Sequence, residues 1–135
     1  MLEKKAGWWF NPILWYQSFK YASKGVWWAL KYNQNLRFHF AAAILVIIAS
    51  VIAHINAFEM GILGVMILVV IVTEMINTVV EEMVDLITKE HRQEAKIAKD
   101  VAAGMVLLSA LGSVIVGFLV FGPHILKFFF PHLWQ

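Results

Sequence analysis

Polar and apolar positions along this chain are segregated into long blocks. Leu36 to Ile55, with the core AAAILVIIASVIA, carries no charge beyond Arg37. Met60 to Val72 reads MGILGVMILVVIV, and its helical pattern continues past Glu81 with no Gly or Pro to stop it. Val101 to Phe121 forms the last such block. Roughly 20 residues of helix cross the hydrocarbon layer, so each block is long enough to span a bilayer. HINAFE, His54 to Glu59, is a short connection between the first two, and TKEHRQEAK, Thr88 to Lys96, is a polar loop or exposed helix end between the others. Gly122-Pro123 is predicted to end the last helix. Ahead of these blocks, Ile13 to Tyr32 places Trp15, Phe19 and Trp27 among lysines 20, 24 and 31, which fall mainly on another face. That pattern predicts an amphipathic helix lying in the membrane interface. The predicted fold class is therefore an all-α integral membrane protein: an N-terminal amphipathic surface helix and three transmembrane helices.

Composition agrees with this reading. Hydrophobic residues make up 61% of the chain and charged residues 15%, and mean hydropathy is +0.72. A soluble domain has more charge and less apolar content. With no cysteine, disulfides and Cys-ligated metal sites are excluded. The start, MLEKKAGWWFNPILWYQSFK, lacks the apolar core and cleavage site expected of a signal peptide. The net charge of +2 matters less than its placement, and a nucleic-acid partner is not expected. Lys4, Lys5, Lys20, Lys24, Lys31 and Arg37 precede the first span, and Lys89, Arg92, Lys96 and Lys99 lie between the second and third. Residues 54–59 hold no Lys or Arg, and the C-terminal tail holds Lys127. Positive charge favours the cytoplasmic side, so the N-terminus and the 86–99 stretch are expected inside, in a multi-pass protein of the plasma (inner) membrane.

The second block ends in TEMINTVVEEMVD, Thr73 to Asp85. With about 100° per residue and Glu74 set at zero, Asn77 falls near 300°, Glu81 near 340° and Asp85 near 20°. These residues form one stripe, with Thr78 beside it and Glu82 at its margin. An ionised acid at the bilayer centre costs at least about 2.5 kcal/mol, so Glu74, the deepest, should face protein, a cation or water. A seam that glues helices together is one use of such a stripe. The other is chemical: a partly desolvated carboxylate as general base, with shallower acids holding a divalent cation through oxygen ligands. Lys99-Asp100, ahead of the small residues Ala102, Ala103 and Gly104, adds a group that can pair with phosphate. Together these residues suggest a polyphosphate site at the cytoplasmic membrane face. There is no GxxxxGK[ST] loop, which excludes a P-loop fold.

Glu74-Met-Ile-Asn77-Thr-Val-Val-Glu81-Glu-Met-Val-Asp85, followed by Lys99-Asp100-VAAGMVLL, resembles the signature of the prokaryotic diacylglycerol kinase and undecaprenol kinase family. SFKYASKG, Ser18 to Gly25, and NLRFHFAAA, Asn35 to Ala43, resemble its N-terminal helix and first span. The resemblance covers residues 18–126, leaving 1–17 as an aromatic-rich extension and 127–135 as a tail that could be frayed and interfacial. It implies a homotrimer with active sites between subunits, using Mg²⁺ and ATP to phosphorylate a lipid hydroxyl. By motif position, Glu74 would be the general base and Asn77 would orient the site. Glu81 would ligate the metal and contact ATP, with Glu90, His91, Arg92, Lys99 and Asp100 at the nucleotide. Lys24 and Asn35 would join Glu74 at the lipid substrate. Details of the AAG and RFH steps resemble the Gram-positive branch, which favours undecaprenol over diacylglycerol. Two positions depart from the pattern. Asn33 stands where the family usually has a second metal-ligating Glu, and a neutral carbonyl is a weaker ligand for a hard cation. Leu14 stands near the place of a usual Arg. The runner-up reading is therefore a degenerate, non-catalytic member acting as a structural or accessory membrane subunit. An ion or proton carrier using the stripe is a third reading, with only His39 and His54 in or beside the first span and nothing in the third to serve it.

Overall fold

A computed structural model describes residues 11–130 as four helices. They are α1 (Pro12–Tyr32), α2 (Gln34–Ile52), α3 (Ala57–Ile87) and α4 (Gln93–Phe129). The last three are long and apolar enough to cross a membrane. The first ten residues of the aromatic-rich extension, with Lys4 and Lys5, and the PHLWQ tail lie outside the described residues.

Asparagines set the helix starts. Asn11 Oδ1 accepts from the backbone N–H groups of Ile13 (3.0 Å) and Leu14 (3.4 Å), and Pro12 supplies a preset φ at the first helical position. Asn33 ends α1, its N–H donating to the Ala29 carbonyl at 2.8 Å, and starts α2, its Oδ1 accepting from Leu36 N–H at 3.0 Å. A single residue thus turns the chain from α1 into the first span. Asn56 and Glu59 form a reciprocal capping box at the start of α3. The turn before it places His54 at φ 53°, a left-handed conformation that His adopts more readily than most side chains.

One expectation fails. Gly122-Pro123 does not end the last helix, because α4 runs through Pro123 to Phe129. Proline removes only one donor and crowds one carbonyl, and the helix resumes on its far side. His124 Nδ1 also lies 3.0 Å from the Val120 carbonyl in the turn around the proline.

Helices α3 and α4 share the most extensive interface, α2 packs on α3, and α1 touches mainly the start of α2. Small polar residues hold α3 to α4. Thr73 Oγ1 and Ser109 Oγ are 2.8 Å apart, and Ser113 donates to the Met66 carbonyl at 3.5 Å. Such residues let membrane helices approach closely. An apolar cluster of Ile55, Leu63 and Val120 closes the end near the α2–α3 turn. Most large apolar side chains elsewhere are exposed, Leu68, Leu108 and Phe118 among them, as suits a surface that hydrocarbon rather than water covers. Helix α1 buries only Ala29.

Candidate functional site

The acid-bearing half of α3 is the most buried polar stretch of the described chain. Glu74 is 1% exposed, Asn77 4% and Thr78 8%. Thr78 Oγ1 donates to the Glu74 carbonyl at 3.0 Å, one turn back along the helix, and accepts from Asn33 Nδ2 at 2.5 Å. Asn77 Nδ2 donates to Glu81 Oε1 at 3.0 Å. Glu74 Oε1 and Asn77 Oδ1 are buried with no partner. An unmet buried acceptor costs about 1–3 kcal/mol, more when charged. Two of them lie within one helical turn, so this part of α3 has acceptors left for a further donor.

Above this pair the remaining candidates gather at two openings. Asn33, Asn35, Glu81 and Glu82 line a crevice of about 260 Å³, with Trp28 and Tyr32 from α1 as its apolar wall. Glu90, His91, Arg92, Lys99 and Asp100 line an open cleft of about 590 Å³ where α3 turns into α4. Asp85, one turn beyond Glu81, faces this cleft, and Lys99 Nζ lies 2.6 Å from its Oδ1. Arg92 donates through Nε (3.1 Å) and Nη2 (2.9 Å) to Glu90 Oε2. Glu81, assigned to both metal and nucleotide by the sequence, lines the crevice; the other nucleotide candidates share the cleft. Lys24 lies on α1 in a shallow depression that shares Trp28 and Tyr32 with the crevice.

Sequence reasoning missed two partners. Thr78 is the residue that engages Asn33, and Asp85 is the residue that holds Lys99. The stripe already contained both, but which helix each would meet depends on packing. Asn33 is also more committed than its motif position suggested, with Oδ1 capping α2 and Nδ2 on Thr78.

Oxygen-only donors around the crevice suit a hard cation. Glu81 keeps one oxygen beyond its bond from Asn77, and Glu82 adds a second carboxylate. No group of three His, Cys, Asp or Glu side chains among the described residues could cage a metal. Mg²⁺ is ordinarily held by one or two carboxylates together with substrate phosphates. The donor set thus fits an ion that enters with a polyphosphate and does not fit a cage built by this chain alone.

The family model described as prokaryotic diacylglycerol kinase matches residues 20–121, which take in α2, α3, most of α4, the stripe and both openings. The chain belongs to that family. An undecaprenol kinase of Bacillus subtilis is 39% identical over 108 residues, covering 80% of this chain and 88% of that protein. A diacylglycerol kinase of Synechocystis sp. is 38% identical over 125 residues, covering 92% of this chain and 71% of its own. Both relatives are named as lipid kinases, on different lipids.

Proposed function

We propose that this protein is a membrane lipid kinase that transfers the γ-phosphoryl group of ATP to a lipid hydroxyl, undecaprenol first and diacylglycerol next. The observation that carries the reading is the unpartnered, buried carboxylate oxygen of Glu74. A membrane helix has little reason to bury such a group unless a hydroxyl is to be offered to it.

The lipid hydroxyl enters beside Glu74 and donates its hydrogen bond to Oε1. As the hydroxyl oxygen attacks the γ-phosphorus, Glu74 takes the proton, the bond to the β-phosphate oxygen breaks, and ADP leaves. Asn77, donating through Nδ2 to Glu81, fixes that carboxylate about two turns along the helix from the base. Lys99 exchanges Asp85 for a phosphate oxygen, since a charged phosphate competes well for an ammonium. Asp100, Glu90, His91 and Arg92 border the nucleotide. Lys24 and Asn35 meet the lipid near the surface. Mg²⁺ would sit at Glu81, with Glu82 and the remaining lone pair of Asn33 in reach, and would neutralise phosphate charge during transfer. Phosphoryl transfer needs positioning and charge neutralisation more than covalent chemistry, and these residues are of the types that supply both.

The same reading holds that α1 lies in the interface, that the N-terminus and both openings are cytoplasmic, and that three copies assemble with sites between subunits. The lysine and arginine distribution supports the orientation. The test is a phosphorylation assay in detergent micelles with ATP and Mg²⁺, offering undecaprenol and diacylglycerol side by side, with Asn33→Glu in parallel. Product from the natural chain supports the kinase and names its lipid. No product from either chain sinks it in favour of a non-catalytic subunit.

A further inference from the structure

Lys20, Lys24 and Lys31 sit on one line of α1. At about 100° per residue they fall at roughly 0°, 40° and 20°. All three are exposed, and Pro12–Tyr32 contains no Asp or Glu. Among the described residues none of the three forms an ion pair, since the pairs formed are Arg92–Glu90, Lys99–Asp85 and His124–Glu59. Two of them lie beside aromatic rings: Lys24 Nζ is 6.0 Å from the Tyr21 ring centre and Lys31 Nζ 5.2 Å from that of Tyr32, and Arg37 adds a further cation where its Nη1 donates to the Lys31 carbonyl at 2.9 Å. Trp27 and Trp28 flank the line and share with the lysines a shallow depression of about 500 Å³.

We propose that this stripe is a binding site for anionic phospholipid headgroups, beside the site at which the lipid substrate reacts and separable from it at Lys20 and Lys31. The inference rests on α1 lying in the interface, as proposed above. A row of like charges with no acid on its helix attracts anions, and its surroundings favour one kind. Trp27 is 72% exposed and Phe19 71%. Rings so placed beside ammonium groups suit a ligand with a charged head and an apolar body. A water-soluble anion would leave those rings in water. A phosphodiester at headgroup depth meets the lysines while its acyl chains cover the rings.

The full-length protein is extracted in mild detergent with equal amounts of phosphatidylglycerol and phosphatidylcholine, and retained lipid is counted by native mass spectrometry. Lys24, which also borders the substrate, is left in place. The natural chain is expected to retain phosphatidylglycerol preferentially. Each lysine removed should weaken that preference about fivefold, so Lys20→Gln/Lys31→Gln should lower it roughly 25-fold. Lys127→Gln, in the last turn of α4, should leave it unchanged, and Lys20→Arg/Lys31→Arg should preserve it. A second readout separates this inference from its premise. The chain has no cysteine, so a nitroxide on Ser23→Cys reports the depth of α1 in a phosphatidylcholine bilayer without background. Headgroup depth with loss of preference in the glutamine variant supports the site. Headgroup depth with the preference unchanged overturns the site and leaves the interfacial helix standing. A nitroxide in bulk water overturns both.

Discussion

The two ends of α3 treat polar side chains in opposite ways. At its start, Asn56 and Glu59 satisfy each other's backbone, and Glu59 lies 3.5 Å from His124 of α4. Fifteen and eighteen residues on from Glu59, Glu74 and Asn77 are more deeply buried, yet each keeps an oxygen with no partner. The same helix therefore closes one polar cluster on itself and leaves the other open. A closed cluster has its return in stability alone. An open, buried one costs stability and persists where something outside the chain completes it, which separates a structural acid from a reactive one without reference to motif.

The sharpest way to break this contrast is Glu74→Gln. The amide matches the carboxylate in shape, so the variant should insert and unfold like the natural chain. On the proposed mechanism, in which Glu74 is the general base, it should lose about 10²- to 10⁴-fold in turnover. Lipid phosphorylation measured alongside thermal unfolding decides the matter. Full activity would remove Glu74 from the reaction and return the stripe to helix glue.

The next effect belongs to the cleft. Lys99→Gln removes a charge-assisted contact worth about 1.5–3 kcal/mol to a phosphate, so the KM for ATP should rise on the order of 10- to 100-fold. Stability should hardly move, because the Lys99 and Asp85 side chains are 36% and 58% exposed and an exposed pair contributes at most about 1 kcal/mol. A large drop in the unfolding temperature with an unchanged KM would make the pair a brace for the turn.

Asn33→Glu tests the crevice. A third carboxylate beside Glu81 and Glu82 should lower the Mg²⁺ concentration needed for half-maximal activity severalfold. Glutamate can still accept from Leu36 N–H but cannot donate to Thr78, so a loss of about 1 kcal/mol in stability should accompany the gain. An unchanged magnesium titration would show that this position does not face the ion.

The spans were legible because long apolar blocks have few alternatives in a bilayer, and the stripe was legible because a helix fixes the angle between its residues. Pro123 shows one limit, because a proline marks a helix boundary only on average: it removes a single donor, and here the helix resumes beyond it. Asn33 shows the other limit. Its asparagine type predicted a cap or a weak ligand equally well, and only the approach of Thr78 from α3 shows both ends of the side chain in use. The Asp85–Lys99 pair was illegible for the same reason, since the two sit in different helices across a turn whose direction no local pattern specifies.

The smallest expected effect lies at the closed end of α3 and completes the comparison. Asn56→Ala removes the side-chain acceptor for Glu59 N–H and with it one half of the capping box. Loss of a cap of this kind costs about 1 kcal/mol, seen as a modest fall in the unfolding temperature. Kinetics should not change, because Asn56 lies at the opposite end of the helix from Glu74, Glu81 and the cleft. Asn56→Asp, which keeps the acceptor, should restore the stability. A kinetic defect in Asn56→Ala that Asn56→Asp does not repair would mean that the two ends of α3 are coupled, and the division into a structural end and a reactive end would have to be given up.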